Sequence, residues 1–431
     1  MKITIPQGAA RIIERLETEG FEAYVVGGCV RDSLLFRSPG DWDITTNARP
    51  EQVKALFAKT VDTGIEHGTV TVLIEQGSYE VTTYRIDGLY LDGRHPTSVS
   101  FTGLLAEDLK RRDFTVNAMA YHPVRGLVDL YGGLEDLKAQ VIRAVGEPEE
   151  RFTEDALRML RAVRFCAQLG FSMEAGTRAA IGRLSERLQL VSKERIQAEL
   201  FKILSSRYPQ QYLACYELGL IGGMDSSLSD LPEHSRQELG GLLTDLAKLY
   251  APEQAEDQPE PGICDREQLY LGLCLILRYF YAGDRQVFGD IFRRLHIDNE
   301  TRRHVITVVC HEASDLEKQP VKIRRLLAAV GEVDLRLLSR LRGLTDGHAD
   351  RDYQNAISAI LDANDAFRID MLAVDGYNII ERYQCRGKHI GELLSMALEM
   401  VIEDPAQNRR EAIFAYLDAR AAVSLRKENE V

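Results

Sequence analysis

Nowhere in these 431 residues is there an apolar run of the roughly 18 residues that a membrane-crossing helix needs. The first residues, MKITIPQGAA, hold no apolar signal-peptide core either. The expected location is therefore the cytoplasm, with no membrane partner. Cysteine is sparse and unpatterned: Cys29, Cys166, Cys215, Cys264, Cys274, Cys310 and Cys385 never fall at CxxC spacing. Such an odd, scattered set suits reduced core thiols better than disulfides or a zinc site. A basic excess is missing as well. Lys and Arg number 53 against 66 Asp and Glu, and the net charge of −13 argues against non-specific binding to nucleic acid. A local basic surface remains compatible with that balance. Tryptophan occurs once, as Trp42, between two aspartates.

What is present is ordinary globular material, 45% hydrophobic and 28% charged. The length exceeds what one core serves, so about two to four domains are expected. QGAARIIERLETEG (7–20) has helical spacing through Ala10, Ile13 and Leu16, with Gly20 as the stop. EAYVVGG (22–28) reads as a strand ending in a Gly pair, VRDSLLF as a helix, DWDITT as a strand and PEQVKALF (50–57) as a helix. GTVTVLIEQGSYEVTTYR (68–85) reads as a hairpin turning at Gln76-Gly77-Ser78, so the sheet is at least partly antiparallel. From about residue 147 the pattern becomes helical. The expected helices cover 153–169, 175–188, 192–205, 233–250, 266–281, 285–295, 299–315, 320–330, 333–343, 352–369 and 386–403. APEQAEDQPEPG (251–262) reads as a solvated linker.

The chemistry concentrates in GGCVRDSLLFRSPGDWDITTN (27–47). In a strand, residues i and i+2 share a face, so Asp41 and Asp43 project together and Trp42 away. Two parallel carboxylates invite a hard divalent cation such as Mg²⁺, although a pair of turn aspartates after Pro39-Gly40 fits the same letters. The strand–Gly-Gly–helix turn lets backbone N–H groups approach a phosphate, and Arg31 can grip the same phosphate. Nucleotidyl transfer by two metals usually takes a third carboxylate from a neighbouring strand. Glu80 in YEVTTYR is the candidate, against the alternative of a solvent-facing Glu on an exposed sheet face.

GGCVRD…GDWDITT, then EDLKRRDFTVNAMA (107–120), LVDLYGGLEDL (127–137) and FTEDALRMLRAVRF (152–165), resemble the class II tRNA nucleotidyltransferases. These are the CCA-adding enzymes and bacterial poly(A) polymerases of the polymerase-β superfamily. The likeness runs in order through about residues 20–205. It implies an α+β nucleotidyltransferase head with a polymerase-β-like mixed sheet, followed by an all-α neck, body and tail. The expected division is 1–146 for the catalytic head, 147–205 for a helical neck with the base-selecting helix, 206–330 for the body and 331–431 for a tRNA-binding tail. The resemblance further implies that Asp41 and Asp43 bind metal, that Gly28 and Arg31 bind nucleotide, and that Arg112 lies on the incoming nucleotide.

In EDALRMLRAVRF a helical period places Glu154, Asp155, Arg158, Arg161 and Arg164 on one broad face. A plain amphipathic helix explains that pattern too, yet every basic residue is the planar Arg. Cytosine and adenine each present an exocyclic amino donor beside a ring-nitrogen acceptor. Asp155 can accept from the first while Arg158 donates to the second, whereas uracil and guanine present the reverse. The resemblance makes EDxxR the family's amino-acid template and places Arg161 and Arg164 at nucleotide-contacting positions. It also likens RIDGLYLDGRHPTSVSF (85–101), with Asp92 and Arg94, to the flexible loop used in switching from C to A addition. That loop is full length here, which counts against a CC-only enzyme but does not separate complete CCA addition from A-only addition.

Arg293, Arg294, Lys322, Arg324, Arg325, Arg409 and Arg410 are candidate phosphate contacts for the tRNA acceptor and TΨC arms, although for any single one a solvated surface charge is the better reading. The lead expectation is template-independent CCA addition to tRNA from CTP and ATP, with no stable protein partner. A-only addition comes next, then poly(A) polymerisation. A non-catalytic RNA-binding relative is the alternative of a different class, and a small-molecule nucleotidyltransferase leaves the helical half without a purpose.

Overall fold

The computed structural model describes residues 2–74, 77–88, 99–250, 263–280, 285–347 and 350–428, and the flexible-loop candidates Asp92 and Arg94 lie outside them. The chain forms two compact units, one of residues 1–269 with 290–297 and one of 270–289 with 298–431. The first takes in the expected head and neck together with much of the expected body. The head–neck boundary at 146/147 stands as a proposal within it.

In the first unit, helix α1 (Gln7–Thr18) buries Ala9, Ile12, Ile13 and Leu16, the apolar stripe that its spacing dictates. Gly20, at φ +84°, supplies the left-handed residue just beyond its end. The chain then lays down β1 (Ala23–Val26), α2 (Gly28–Leu34), β2 (Ile44–Thr46), α3 (Pro50–Leu56), β3 (Thr60–Gly64), β4 (Thr69–Ile74) and β5 (Gly77–Thr83). A small antiparallel pair, β6 (Arg85–Asp87) and β7 (Val99–Phe101), is followed by α4 (Leu105–Lys110), β8 (Met119–His122), β9 (Gly126–Asp129) and α5 (Gly133–Ala139). The main sheet has the order β3-β4-β5-β2-β1-β8-β9. It is mixed: β2 runs parallel to β5, and its other pairings are antiparallel. The β4–β5 hairpin is the one expected from alternation. The β8–β9 hairpin carries no such signal, because both faces of β8 are buried and its residues do not alternate.

Two expectations about local structure need correction. DWDITT is strand only from Ile44, and Asp41–Asp43 form an extended lead-in, docked where the Val26 N–H donates to the Asp43 carbonyl at 3.0 Å. The helix expected over 153–169 is two helices, α6 (Pro148–Glu154) and α7 (Leu157–Leu169). Asp155 interrupts them with extended backbone at φ −142°, ψ 104°. Its carboxylate accepts the Leu157 N–H at 3.1 Å, the local competition by which Asp breaks a helical ladder.

Two more helices of this unit, α8 (Ala175–Leu184) and α9 (Lys193–Leu204), fall where the periodicity places them, and α9 packs on α7. The later helices include Glu233–Leu249, Pro320–Val330, Glu332–Asp346 and Lys388–Glu403, close to expectation, and Asn299–Cys310, which ends five residues before the expected 315. Asp350–Asp362 stops well short of 369, with Asn364 turned left-handed at φ +54°. Gly376–Tyr383 and Arg410–Glu428 are helices that the sequence reading does not contain. In the second unit they help enclose a core of Val374, Ile379, Leu394, Ala397, Val401, Ile413 and Leu417. Among the described residues no helix is long and apolar enough to cross a membrane, and Cys29, Cys166, Cys215, Cys274, Cys310 and Cys385 are free thiols.

Candidate active site

The site is built where β1 turns into α2. Gly27 sits at φ +83°, and a Cβ there would lie 2.9 Å from Arg112 Nη1. The steric demand for glycine thus falls on Gly27, and the nominated Gly28 is the first helical residue. Arg31 is turned inward. Its Nε and Nη2 each donate to Asp32 at 2.9 Å and its Nη1 to Asn117 Oδ1 at 2.6 Å, with the Phe165 ring beneath it. This guanidinium is held by Asp32 and Asn117 beside the Gly-Gly turn.

Asp41 is exposed and Asp43 half-buried. The parallel register that sets Ile44 opposite Val81 brings Glu80 alongside Asp43. Burial pushes the Asp43 carboxyl up from its ordinary value, Arg112 pulls it down, and the charges of Glu80 and Asp41 push it up again. The upward causes win. Burial and the same Asp43 charge raise the Cys29 thiol to about 11. A carboxylate pair crowded in this way fits a divalent cation, which relieves both like-charge repulsion and burial. Among the described residues, however, no three His, Cys, Asp or Glu side chains close into a metal-holding group. Glu80 acts on Asp43 through its field and is not assembled as a third donor.

Arg112 links this corner to a neighbouring cleft. Its Nη2 faces Asp108 Oδ2 at 3.4 Å, and its Nε is buried without a hydrogen-bond partner among the described residues. Asp108 is fully buried and also accepts from Arg111 at 2.7 and 2.9 Å and from Thr45 Oγ1 at 3.1 Å. Burial alone would raise its carboxyl, but the two guanidinium groups hold it below the ordinary value.

The cleft has a volume of about 250 Å³ and is lined by Arg111, Arg112, Asp113, Asp155, Leu157, Arg158, Arg161 and Arg195. Five guanidinium groups against two carboxylates give an anion-seeking pocket on a chain of negative net charge. Asp155 and Arg158 do not touch each other's side chains but open into this one space. Asp155 Oδ2 accepts from Arg195 Nη2 at 2.7 Å, whereas Arg158 reaches Glu154 Oε2 at 2.6 Å and the Arg111 carbonyl at 3.0 Å. Arg161 donates to Asp113 Oδ2 at 2.9 and 2.5 Å. Asp113 is buried, which opposes its ionisation, yet Arg161 keeps its carboxyl far below the usual range. Arg164 does not line the cleft. It is buried behind it, paired with Glu199 at 2.5 Å and lying over the Phe165 ring at 3.9 Å. The expected set thus comes together through Arg112, Asp155, Arg158 and Arg161. Asp108, Asp113 and Arg195 were missed as individuals: the first two flank RRDFT or lie within it, and Arg195 carries no local signal because only tertiary packing brings α9 here.

Residues 23–143 match the family model described as the poly A polymerase head domain, and residues 170–221 match the probable RNA and SrmB-binding site of polymerase A. The CCA-adding enzyme of Lactobacillus delbrueckii subsp. bulgaricus is 38% identical over 412 residues, 95% of this chain and 96% of that enzyme. The chain belongs to the CCA-adding enzyme family. The CCA-adding enzyme of Enterococcus faecalis is 52% identical over 208 residues, which span 47% of this chain and 51% of that relative. The solved Bacillus stearothermophilus CCA-adding enzyme in complex with CTP superimposes with a TM-score of 0.82 at 31% identity, covering 99% of this chain and 100% of that one.

In this member of the CCA-adding family, most of the basic residues nominated toward the C-terminus are paired. Arg294 holds Asp225 and Ser227, Lys322 holds Asp315 and Glu317, and Arg325 holds Glu399 and Glu403. Arg324 is buried, donating to the Ile402 carbonyl at 2.7 Å and Asp365 at 2.8 Å, and is a structural residue of the second unit.

Proposed function

We propose that this chain adds CCA to the 3′ end of tRNA from CTP and ATP, choosing each base with Asp155 and Arg158 in place of a nucleic-acid template. The observation that carries the reading is the shared opening of Asp155 and Arg158 into one arginine-rich cleft beside Arg112. Asp155, an acceptor, takes the exocyclic amino group of cytosine or adenine, and Arg158, a donor, takes the ring nitrogen. Uracil and guanine would set a carbonyl against the carboxylate and an N–H against the guanidinium. Mispaired polar groups of this kind discriminate far better than pocket size.

Arg112 lines the base-selecting cleft and acts on Asp43, with its Nε–H unpaired among the described residues. In this reading it neutralises the triphosphate, and Arg161 adds charge in the same cleft. The Gly27-Gly28 turn keeps side chains away from the phosphates. Two divalent cations at Asp41 and Asp43, which we propose to be Mg²⁺, would supply activation of the primer's 3′-hydroxyl and, with the arginines, charge neutralisation of the leaving pyrophosphate. Glu80 is proposed as the third carboxylate, its negative charge beside Asp43 adding to the attraction of the corner for a cation. The tRNA acceptor stem and TΨC arm are the proposed macromolecular partner.

Replacing Arg158 with Ala tests the reading. The expected result is incorporation of UTP or GTP at rates approaching those of CTP and ATP. Selectivity unchanged from wild type would contradict a side-chain template.

A further inference from the structure

Asp155 has a problem that its own helix does not solve. It lies between α6 and α7 in extended backbone, so no helical turn fixes its side chain. We propose that Arg195 is the positioning residue that holds the Asp155 carboxylate where it can receive the base's amino group. This inference rests on the template reading given above.

The geometry separates the two halves of the template. Asp155 is held by the Leu157 N–H on Oδ1 at 3.1 Å and by Arg195 Nη2 on Oδ2 at 2.7 Å. Arg158 is held by other partners, Glu154 and the carbonyls of Arg151 and Arg111. Arg195 comes from α9, which packs along α7, so the anchor is carried by a helix–helix contact and not by the joint itself. A charge-assisted bond to a carboxylate is short and directional, and it leaves the remaining lone pairs of both oxygens available. Arg195 also lines the cleft, and its Nη1 is enclosed without a hydrogen-bond partner among the described residues.

The acceptor and the donor of the template therefore answer to different residues. Loss of Arg195 should loosen the acceptor while leaving Arg158 in place. A loose carboxylate can swing away from the O4 carbonyl of uracil, so the discrimination against UTP falls before catalysis does.

The test uses the full-length protein and tRNA transcripts ending before the first C, with CTP, ATP, UTP and GTP compared for wild type, Arg195→Ala, Arg195→Lys and Asp155→Ala. Arg195→Ala is expected to lose roughly tenfold or more of the CTP-over-UTP preference, chiefly through a higher KM for CTP. KM for tRNA and the melting temperature should stay near wild type. Arg195→Lys should recover part of the preference, since an ammonium restores the charge but not the fixed fork. If Asp155→Ala loses the preference and Arg195→Ala keeps it, the positioning role is overturned and the template stands. If Asp155→Ala keeps it, the template reading fails and this inference fails with it. Should Arg195→Ala not fold, Arg195→Gln is measured by the same ratios and decides in the same way.

Discussion

At Asp43, stability and function pull in opposite directions. A carboxyl whose pKa rises on folding prefers its protonated form in the fold, so its ionisation weakens the fold as pH climbs through the folded value. Asp43→Asn removes that penalty. The variant should melt higher than wild type at neutral pH, and the advantage should shrink as pH falls toward the ordinary value of 3.8. It should lose nucleotidyl transfer and also the upward shift in melting temperature that Mg²⁺ gives wild type. Calorimetry with and without the cation reads both effects, and an equal Mg²⁺ shift in the variant would remove Asp43 from the metal site. Asp113 has the opposite sign. Its carboxyl is held far below 3.8 by Arg161, so its contribution is present above the unfolded value and is lost only as pH falls through the lower folded one. Asp113→Ala leaves the Arg161 guanidinium without its carboxylate. We expect it to destabilise the first unit by about 3 kcal/mol, measured by urea unfolding. A change under about 0.5 kcal/mol, ordinary for a surface site, would show the pair to be incidental.

Elements follow from the pattern where the pattern is local. α1, α3, the β4–β5 hairpin and α9 could be read directly, because each carries its own apolar period and its own end signals. The hairpin formed by β8 and β9 could not, since burial on both faces erases alternation. The break at Asp155 was invisible for a related reason. FTEDALRMLRAVRF keeps a good helical period across the joint, and only the Asp155 side chain and its partner on α9 reveal the interruption. The candidate site divides in the same way. Asp41, Asp43, Arg112, Asp155 and Arg158 were legible as motif residues, whereas Asp108, Asp113 and Arg195 act through contacts distant in sequence. The end of α2 offers a test at this scale. Phe36 occupies the left-handed position beyond the helix at φ +57° and is 95% exposed, so it bears backbone strain with no burial in return. Phe36→Gly should stabilise the protein by about 1 kcal/mol, read as a higher urea midpoint with an unchanged slope. A lower midpoint would mean that the ring makes contacts in solution that offset the strain.

Across the whole molecule, an acidic chain of net charge −13 concentrates five arginines in one cleft. Electrostatics here is local, and the paired arginines and lysines elsewhere add little to a general field. A substrate polyanion is then bound through a limited set of phosphate contacts, so KM for tRNA should rise with salt while selectivity among nucleotides does not. A single cleft holding one acceptor and one donor is the central claim, because it requires that both cytosine and adenine be chosen in the same place. The direct measurement is extension of tRNA transcripts ending before the first C, after the first C and after the second C, with CTP and ATP supplied separately and together. The account predicts completion of all three transcripts to CCA, followed by a stop. Addition of A alone to the CC-ending transcript, or continued addition of A beyond the third nucleotide, would contradict it.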